Sequence, residues 1–308
     1  MTSTERAIID RIILEHVSFS SAQLREKCAR RFDLEKQQGI FPFDGNIHTQ
    51  FGTSVHFACE TGLAEYEKTG GNQPSDKMMI EAFKDRFRDE LMGVVSEERA
   101  AKKRRVQVPA VKEVVPKEQI REFFGQGKLI IPEIFPATLG HLGEGFRVIG
   151  IEEPLDTPLK GYLYDDEFTS SLAESLPFKG YIDLHAYQPK TNKRFIIDWK
   201  TCGWGWSRDK KQDPVLKAQL AMYKYYLCKK YGYGEEDFRK IELDFVLLKR
   251  TGSPGKRVEF FKVSAGPKTI RKSLSYINTL LWNMETERYM PNRLNCKWCP
   301  FKHTQYCP

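Results

Sequence analysis

No stretch of about 18 consecutive apolar residues occurs in the chain, which excludes a helix that spans a bilayer. The opening "MTSTERAIIDRIILEH" interrupts its apolar residues with charges, so it does not read as a secretory leader. A cytoplasmic setting, the host's if the source is viral, and no membrane partner are the expectations. No internal repeat is visible, and no G-x-x-x-x-G-K-S/T phosphate loop is present. Acidic residues are the scarcer charge, 41 Asp and Glu against 49 Lys and Arg, for a net +8. Such an excess favours polyanionic partners through counterion release, or simply solvates the surface. Cysteine is sparse and odd in number at seven. Cys59, Cys202 and Cys228 are scattered and read as ordinary thiols, whereas Cys296, Cys299 and Cys307 cluster as metal ligands do.

What remains is a chain of 308 residues, 40% hydrophobic and 29% charged, long enough for a substantial core. "SFSSAQLREKCARRFDLEK" predicts a helix capped at Ser20 or Ser21. A second helix ends at Gly70-Gly71, and a third carries Met79, Ala82, Phe83, Phe87 and Leu91 at helical spacing. A charged stretch with Pro109, Pro116 and the basic run Lys102 to Arg105 reads as a linker near 95–118 or a phosphate-contacting arm. Another helix follows, with a break near Gly125-Gly127. From about 145 the period changes to short runs rich in Val, Ile, Phe and Tyr: "GFRVIGIEEPL", "FKGYIDLHAYQ" and "KRFIIDWKT", the last two joined by the turn "QPKTNK". A helix ending in Gly, two strands joined by "TGSPGK" and a long final helix complete the order. The fold class is α/β, a mixed sheet behind a helical N-terminal portion. The expected parts are 1–144, 145–290 and a cysteine tail at 291–308, together one domain.

Two strands of this set carry acids where apolar residues belong. Asp183 follows Tyr181-Ile182; Asp198 follows Phe195-Ile196-Ile197, with Lys200 two residues on and on the same strand face. A hairpin lets Asp183 and Asp198 converge if its strands splay. Carboxylates held together repel unless a cation lies between them, and hard oxygen ligands suit Mg²⁺ or Mn²⁺. An ammonium beside them can orient water or stabilise the charge on a pentacovalent phosphorane. The plain alternative, a surface salt bridge between Asp198 and Lys200, accounts for neither the apolar flanks nor Asp183.

"GYID", 14 residues and "DWKT" together resemble the core motif of the PD-(D/E)XK nucleases in their RecB-like branch, with Trp199 at the variable position. "LKAQLAMYKYYL" is similar to the branch's next helix, with Gln219 and Tyr223 at Gln-x-x-x-Tyr spacing. "GTSVHFACE" resembles the upstream helix that offers a histidine, here His56. "VIGIEEPL" resembles the preceding strand, with Glu152 favoured over Glu153 as its acid. The resemblance implies a restriction-endonuclease-like core that hydrolyses phosphodiesters. Asp183, Asp198, His56 and the Trp199 backbone carbonyl would ligate Mg²⁺ or Mn²⁺. Lys200 would position or activate water, and Gln219 and Tyr223 would contact the strand or support the site. His56 and Tyr223 could instead simply pack, and Glu152 could be a surface acid.

Several members of that branch carry a 4Fe–4S cluster held by one N-terminal and three C-terminal cysteines, which implies Cys28 with Cys296, Cys299 and Cys307. Here seven residues, not five, separate Cys299 from Cys307. The rival is zinc, through Cys296-x2-Cys299-x3-His303-x3-Cys307. The loop "TCGWGWSRDKKQDP" interleaves Trp204 and Trp206 with glycine before Arg208, Lys210 and Lys211. It is either a base-stacking surface or a cap on the core. The expected protein is a metal-dependent DNA exonuclease acting on single strands or duplex ends, in recombination, repair, phage DNA processing or CRISPR-type adaptation. Unwinding would fall to a helicase or recombination partner. The alternatives are a structure-specific endonuclease, a silent DNA-binding or assembly subunit, and RNA as the substrate.

Overall fold

The computed structural model describes residues 14–40, 46–93 and 115–307. The opening segment, the run Lys102 to Arg105 and Pro109 lie outside them. Helix α1 (Phe19–Lys27) is capped by Ser18, whose Oγ accepts the Ser21 N–H, rather than by Ser20 or Ser21 themselves. The predicted single helix stops at Cys28, which is extended (φ −166°, ψ 113°). The chain resumes as the short α2 (Ala29–Phe32) and a π-helical turn (Asp33–Gln37). Helix α3 (Ile47–Lys68) starts in a reciprocal capping box of Asn46 and Thr49, and α4 (Asp76–Met92) follows it.

Helix α5 (Lys117–Leu142) runs unbroken through Gly125 and Gly127, and through Pro132 and Pro136. The expected break is absent because Gly127 serves packing. A Cβ there would lie 2.3 Å from the Phe83 ring, so glycine is what lets α4 and α5 close on each other.

Strands β1 (Arg147–Pro158), β2 (Pro177–Gln188) and β3 (Lys193–Cys202) form an antiparallel meander. The short α6 (Arg208–Gln212) and the long α7 (Pro214–Tyr231) carry the chain over the sheet to β4 (Ile241–Lys249), parallel to β3. The five-residue α8 (Glu235–Arg239) precedes β4; β5 (Val258–Val263) pairs antiparallel to it, and α9 (Pro267–Thr286) closes the order. The sheet order is β1-β2-β3-β4-β5.

Both sheet faces are covered, which explains why β3 and β4 read as continuous apolar runs. Phe195, Ile197 and Trp199 pack with α3, α4 and α5 on one face. Ile196, Phe245 and Leu247 pack with α7 and α9 on the other. The result is a mixed five-stranded α/β sheet flanked by helices, as in restriction endonucleases. No helix among the described residues is long and apolar enough to cross a membrane.

Candidate active site and cysteine cavity

The site forms where strand alternation fails. In β2, Phe178 and Ile182 pack into one core but Leu184 and Ala186 into the other, so the strand changes face at Asp183. In β1, Ile151 packs against one core and Leu155, four residues on, into the other. Between them Glu152 sits at φ +47°, a left-handed conformation that costs a non-glycine residue roughly 1–3 kcal/mol. The register that pairs Ile151 with Leu184 and Glu153 with Ile182 sets Glu152 opposite Asp183. On the other side of β2, pairing with β3 ends at Leu184 and Ile197. The strands splay one step short of Asp183 and Asp198, and the Asp183 Oδ2 accepts the Trp199 N–H at 2.7 Å.

The neighbouring elements complete the arrangement. The Asp198 Oδ1 accepts from Gln219 Nε2 at 2.6 Å, and that nitrogen also reaches the Tyr223 hydroxyl at 3.2 Å. The Asp198 Oδ2 faces Lys200 Nζ at 2.6 Å. Gly180 allows the Tyr223 ring in, since a Cβ there would lie 2.9 Å from it. From α3, His56 Nδ1 comes to 3.5 Å from Asp183 Oδ2. His56, Glu152 and Asp183 each offer a ligand atom within 4.8 Å of the others, the one such trio among the described residues. Asp198 is not part of it; its Oδ1 accepts from Gln219 and its Oδ2 faces Lys200. Glu153 is not the acid of this site. Its carboxylate is buried against His185, Tyr231 and Lys230.

The electrostatics follow from burial. Asp183 is 7% exposed and Asp198 2%. Burial lifts the Asp183 carboxyl well above the usual carboxylate range; Asp198 and Glu152 add to the rise, while Lys200 opposes it. Burial also raises Asp198 against the pull of Lys200. Burial works against the Lys200 charge, yet Asp198 and Asp183 outweigh it and hold its pKa above the ordinary value. Burial, aided by Lys200, brings His56 down to about 4, so its ring is neutral at pH 7 with a lone pair to offer. The donor set of two carboxylates and one neutral imidazole fits a divalent ion of the Mg²⁺ or Mn²⁺ kind, and the carboxylates repel one another until one is present.

One residue escaped the sequence reading. Glu60 lies one helical turn beyond His56, and burial with the charge of Glu152 lifts its pKa to about 7. The signal was available, since residues four apart share a helix face.

A second centre lies where α1 meets the C-terminal segment. Cys28, Cys296, Cys299 and Cys307 line one cavity of about 230 Å³ with Lys27, Arg30, Arg31 and Lys302. The extended backbone at Cys28 aims its sulfur there, where the Asn292 N–H meets it at 3.4 Å. Asn295 Nδ2 donates to the Lys27 carbonyl at 2.7 Å and Arg30 to that of Tyr306 at 3.3 Å, tying the two segments together. His303 is exposed, sits at φ +57° and lies outside the lining, so the zinc set with His303 is not assembled. Among the described residues, no three cysteine sulfurs come within 4.8 Å of one another. Tetrahedral zinc at about 2.3 Å per sulfur needs them roughly 3.8 Å apart.

In the loop after Lys200, Trp206 is half-buried and Trp204 is 84% exposed. Lys210 lies over the Trp206 ring at 4.8 Å. Arg208 and Lys211 border the same open depression as Trp206, Lys211 paired with Glu259 at 2.5 Å.

A family model described as the PD-(D/E)XK nuclease superfamily matches residues 16–308. The chain belongs to that superfamily, whose members are hydrolases of nucleic acid that typically use a divalent metal. Its fold is similar to a solved structure named "Putative exonuclease" from Eubacterium rectale, with 13% identity, 97% of this chain and 88% of that one covered, and a TM-score of 0.51. No curated protein matches the sequence significantly.

Proposed function

We propose that this chain is a divalent-metal-dependent DNA exonuclease of the RecB-like branch, acting on single strands or duplex ends. The observation that carries the reading is the trio His56, Glu152 and Asp183 beside the Asp198–Lys200 pair. His56, Glu152 and Asp183 would hold Mg²⁺ or Mn²⁺, with the Trp199 carbonyl close by. The ion supplies Lewis acidity toward the phosphoryl oxygens. Asp198, fixed by Gln219, holds Lys200 charged and in place. Lys200 orients water and donates to the negative charge that develops on phosphorus-bound oxygen. Tyr223, its hydroxyl kept protonated by burial, steadies Gln219. The cysteine cavity would take a 4Fe–4S cluster that joins α1 to the C-terminal segment; its lining of Lys27, Arg30, Arg31 and Lys302 favours a cluster of net negative charge. The name of the Eubacterium rectale neighbour supports an exonuclease, and duplex unwinding falls to a partner.

The test is digestion of end-labelled linear and circular DNA with Mg²⁺, Mn²⁺ or EDTA. Linear DNA is expected to be degraded with either metal and circular DNA spared. Lys200→Ala is expected to slow cleavage by about 10²–10⁴-fold while divalent-ion binding persists. Equal turnover by the variant overturns the role of Lys200, and cleavage of circles overturns the exonuclease mode.

A further inference from the structure

The loop beyond Lys200 separates its two tryptophans. At its start, the Cys202 carbonyl accepts the Arg250 N–H at 2.9 Å. The Gly203 carbonyl accepts both the N–H (3.0 Å) and the hydroxyl (3.1 Å) of Thr251. The base of the loop is therefore pinned to the β4–β5 turn. Gly205 then takes φ +125°, open to glycine and strained for other residues, and sends the flanking indoles opposite ways. Trp206 turns inward, edge-on to Phe245 at 5.2 Å and Phe261 at 6.1 Å. Trp204 turns outward, 84% exposed, with no ring or cation contact among the described residues.

An exposed indole on an anchored turn is an unusual expense for a surface that burial would otherwise cover. The same loop and the helix after it carry cations. Arg208, Lys210 and Lys217 form no salt bridge among the described residues, and Arg208 and Lys217 border the depression beneath Trp206. Lys210 lies close enough to Lys27 and Lys200 to feel both charges. Lys210, six residues beyond Trp204, thus lies in reach of both the acid site and the cysteine cavity. Trp204 is four residues from Lys200, at most roughly 14 Å along the chain, within a few nucleotides of a phosphate held there. An exposed aromatic face on the same loop as unpaired cations matches a nucleobase with its phosphates, whereas a protein partner needs a contiguous apolar patch.

We propose that Trp204 is the stacking platform for an unpaired nucleobase, with Arg208, Lys210 and Lys217 holding the phosphates of the same strand. The inference rests on the nuclease reading and deepens it. The preferred substrate is a single strand or a frayed end, because the base faces of an intact duplex are covered by their neighbours.

Binding by the full-length chain in EDTA tests this independently of cleavage. The probe is a short single strand carrying a fluorescent adenine analogue, and the control is a closed dumbbell duplex without ends. Trp204→Ala is expected to weaken single-strand binding by about 10-fold or more and abolish the change in analogue fluorescence. Trp204→Phe is expected to recover most of both, and the dumbbell to bind wild type and Trp204→Ala alike. Arg208→Ala is expected to lower the salt dependence by about one counterion. Unchanged single-strand binding by Trp204→Ala, or equal losses on strand and dumbbell, overturns the proposal. If wild type cleaves nothing with any metal yet the binding differences appear, the nuclease reading fails and the platform stands.

Discussion

The acid site and the cysteine cavity are both clusters of ligand-type side chains, but the molecule builds them in opposite ways. The acids sit on long strands, and each has a protein partner already: Trp199 for Asp183, Gln219 and Lys200 for Asp198. The cysteines sit on a one-residue break, a short 3₁₀ segment (Arg293–Trp298) and turns. Their sulfurs have little to bond but a backbone N–H, a carbonyl and one another's cavity. The first arrangement can hold its geometry without an ion, strained by its charges and by the left-handed backbone at Glu152. The second, if the proposed cluster fills it, would depend on that cluster.

That contrast predicts stability changes of opposite sign. The largest belongs to Cys28→Ser, which removes the one thiol that the N-terminal segment would supply to the proposed cluster. Melting of the protein purified without oxygen is expected to fall by roughly 5–10 °C, with loss of the brown absorbance of an iron–sulfur protein. Unchanged colour and melting would remove Cys28 from the ligand set. Next comes Asp183→Asn, which deletes one of the facing charges. Measured in EDTA, its melting is expected to rise by about 2–4 °C, while divalent-ion binding is lost. A drop in melting would show that the acids stabilise the strands rather than strain them. The smallest effect is expected from Asn295→Ala, which breaks the bond to the Lys27 carbonyl and should lower melting by about 1–2 °C without altering ion binding at the acid site. A loss of ion binding would mean that the two centres are coupled.

Much of this was legible because acids inside apolar strands are costly, so Asp183 and Asp198 announced themselves, and strand periodicity put Lys200 beside Asp198. Glu152 could be favoured over Glu153 only by likeness, because no pattern reveals a left-handed residue in a strand. Gly127 read as a break, since a glycine demanded by the Phe83 ring looks the same in sequence as one that ends a helix. The cap moved to Ser18 because three serines within four positions offer equivalent chemistry, and backbone geometry chooses among them. His303 fitted a zinc spacing, but spacing does not say which way a tight turn points its ring.

Helix α7 is wet on neither side from Ala218 to Cys228, held between the sheet and its neighbours. A rod enclosed in that way has nowhere to slide or roll without opening the interior. Gln219 and Tyr223 are therefore set once, when the chain folds, and Asp198 with them.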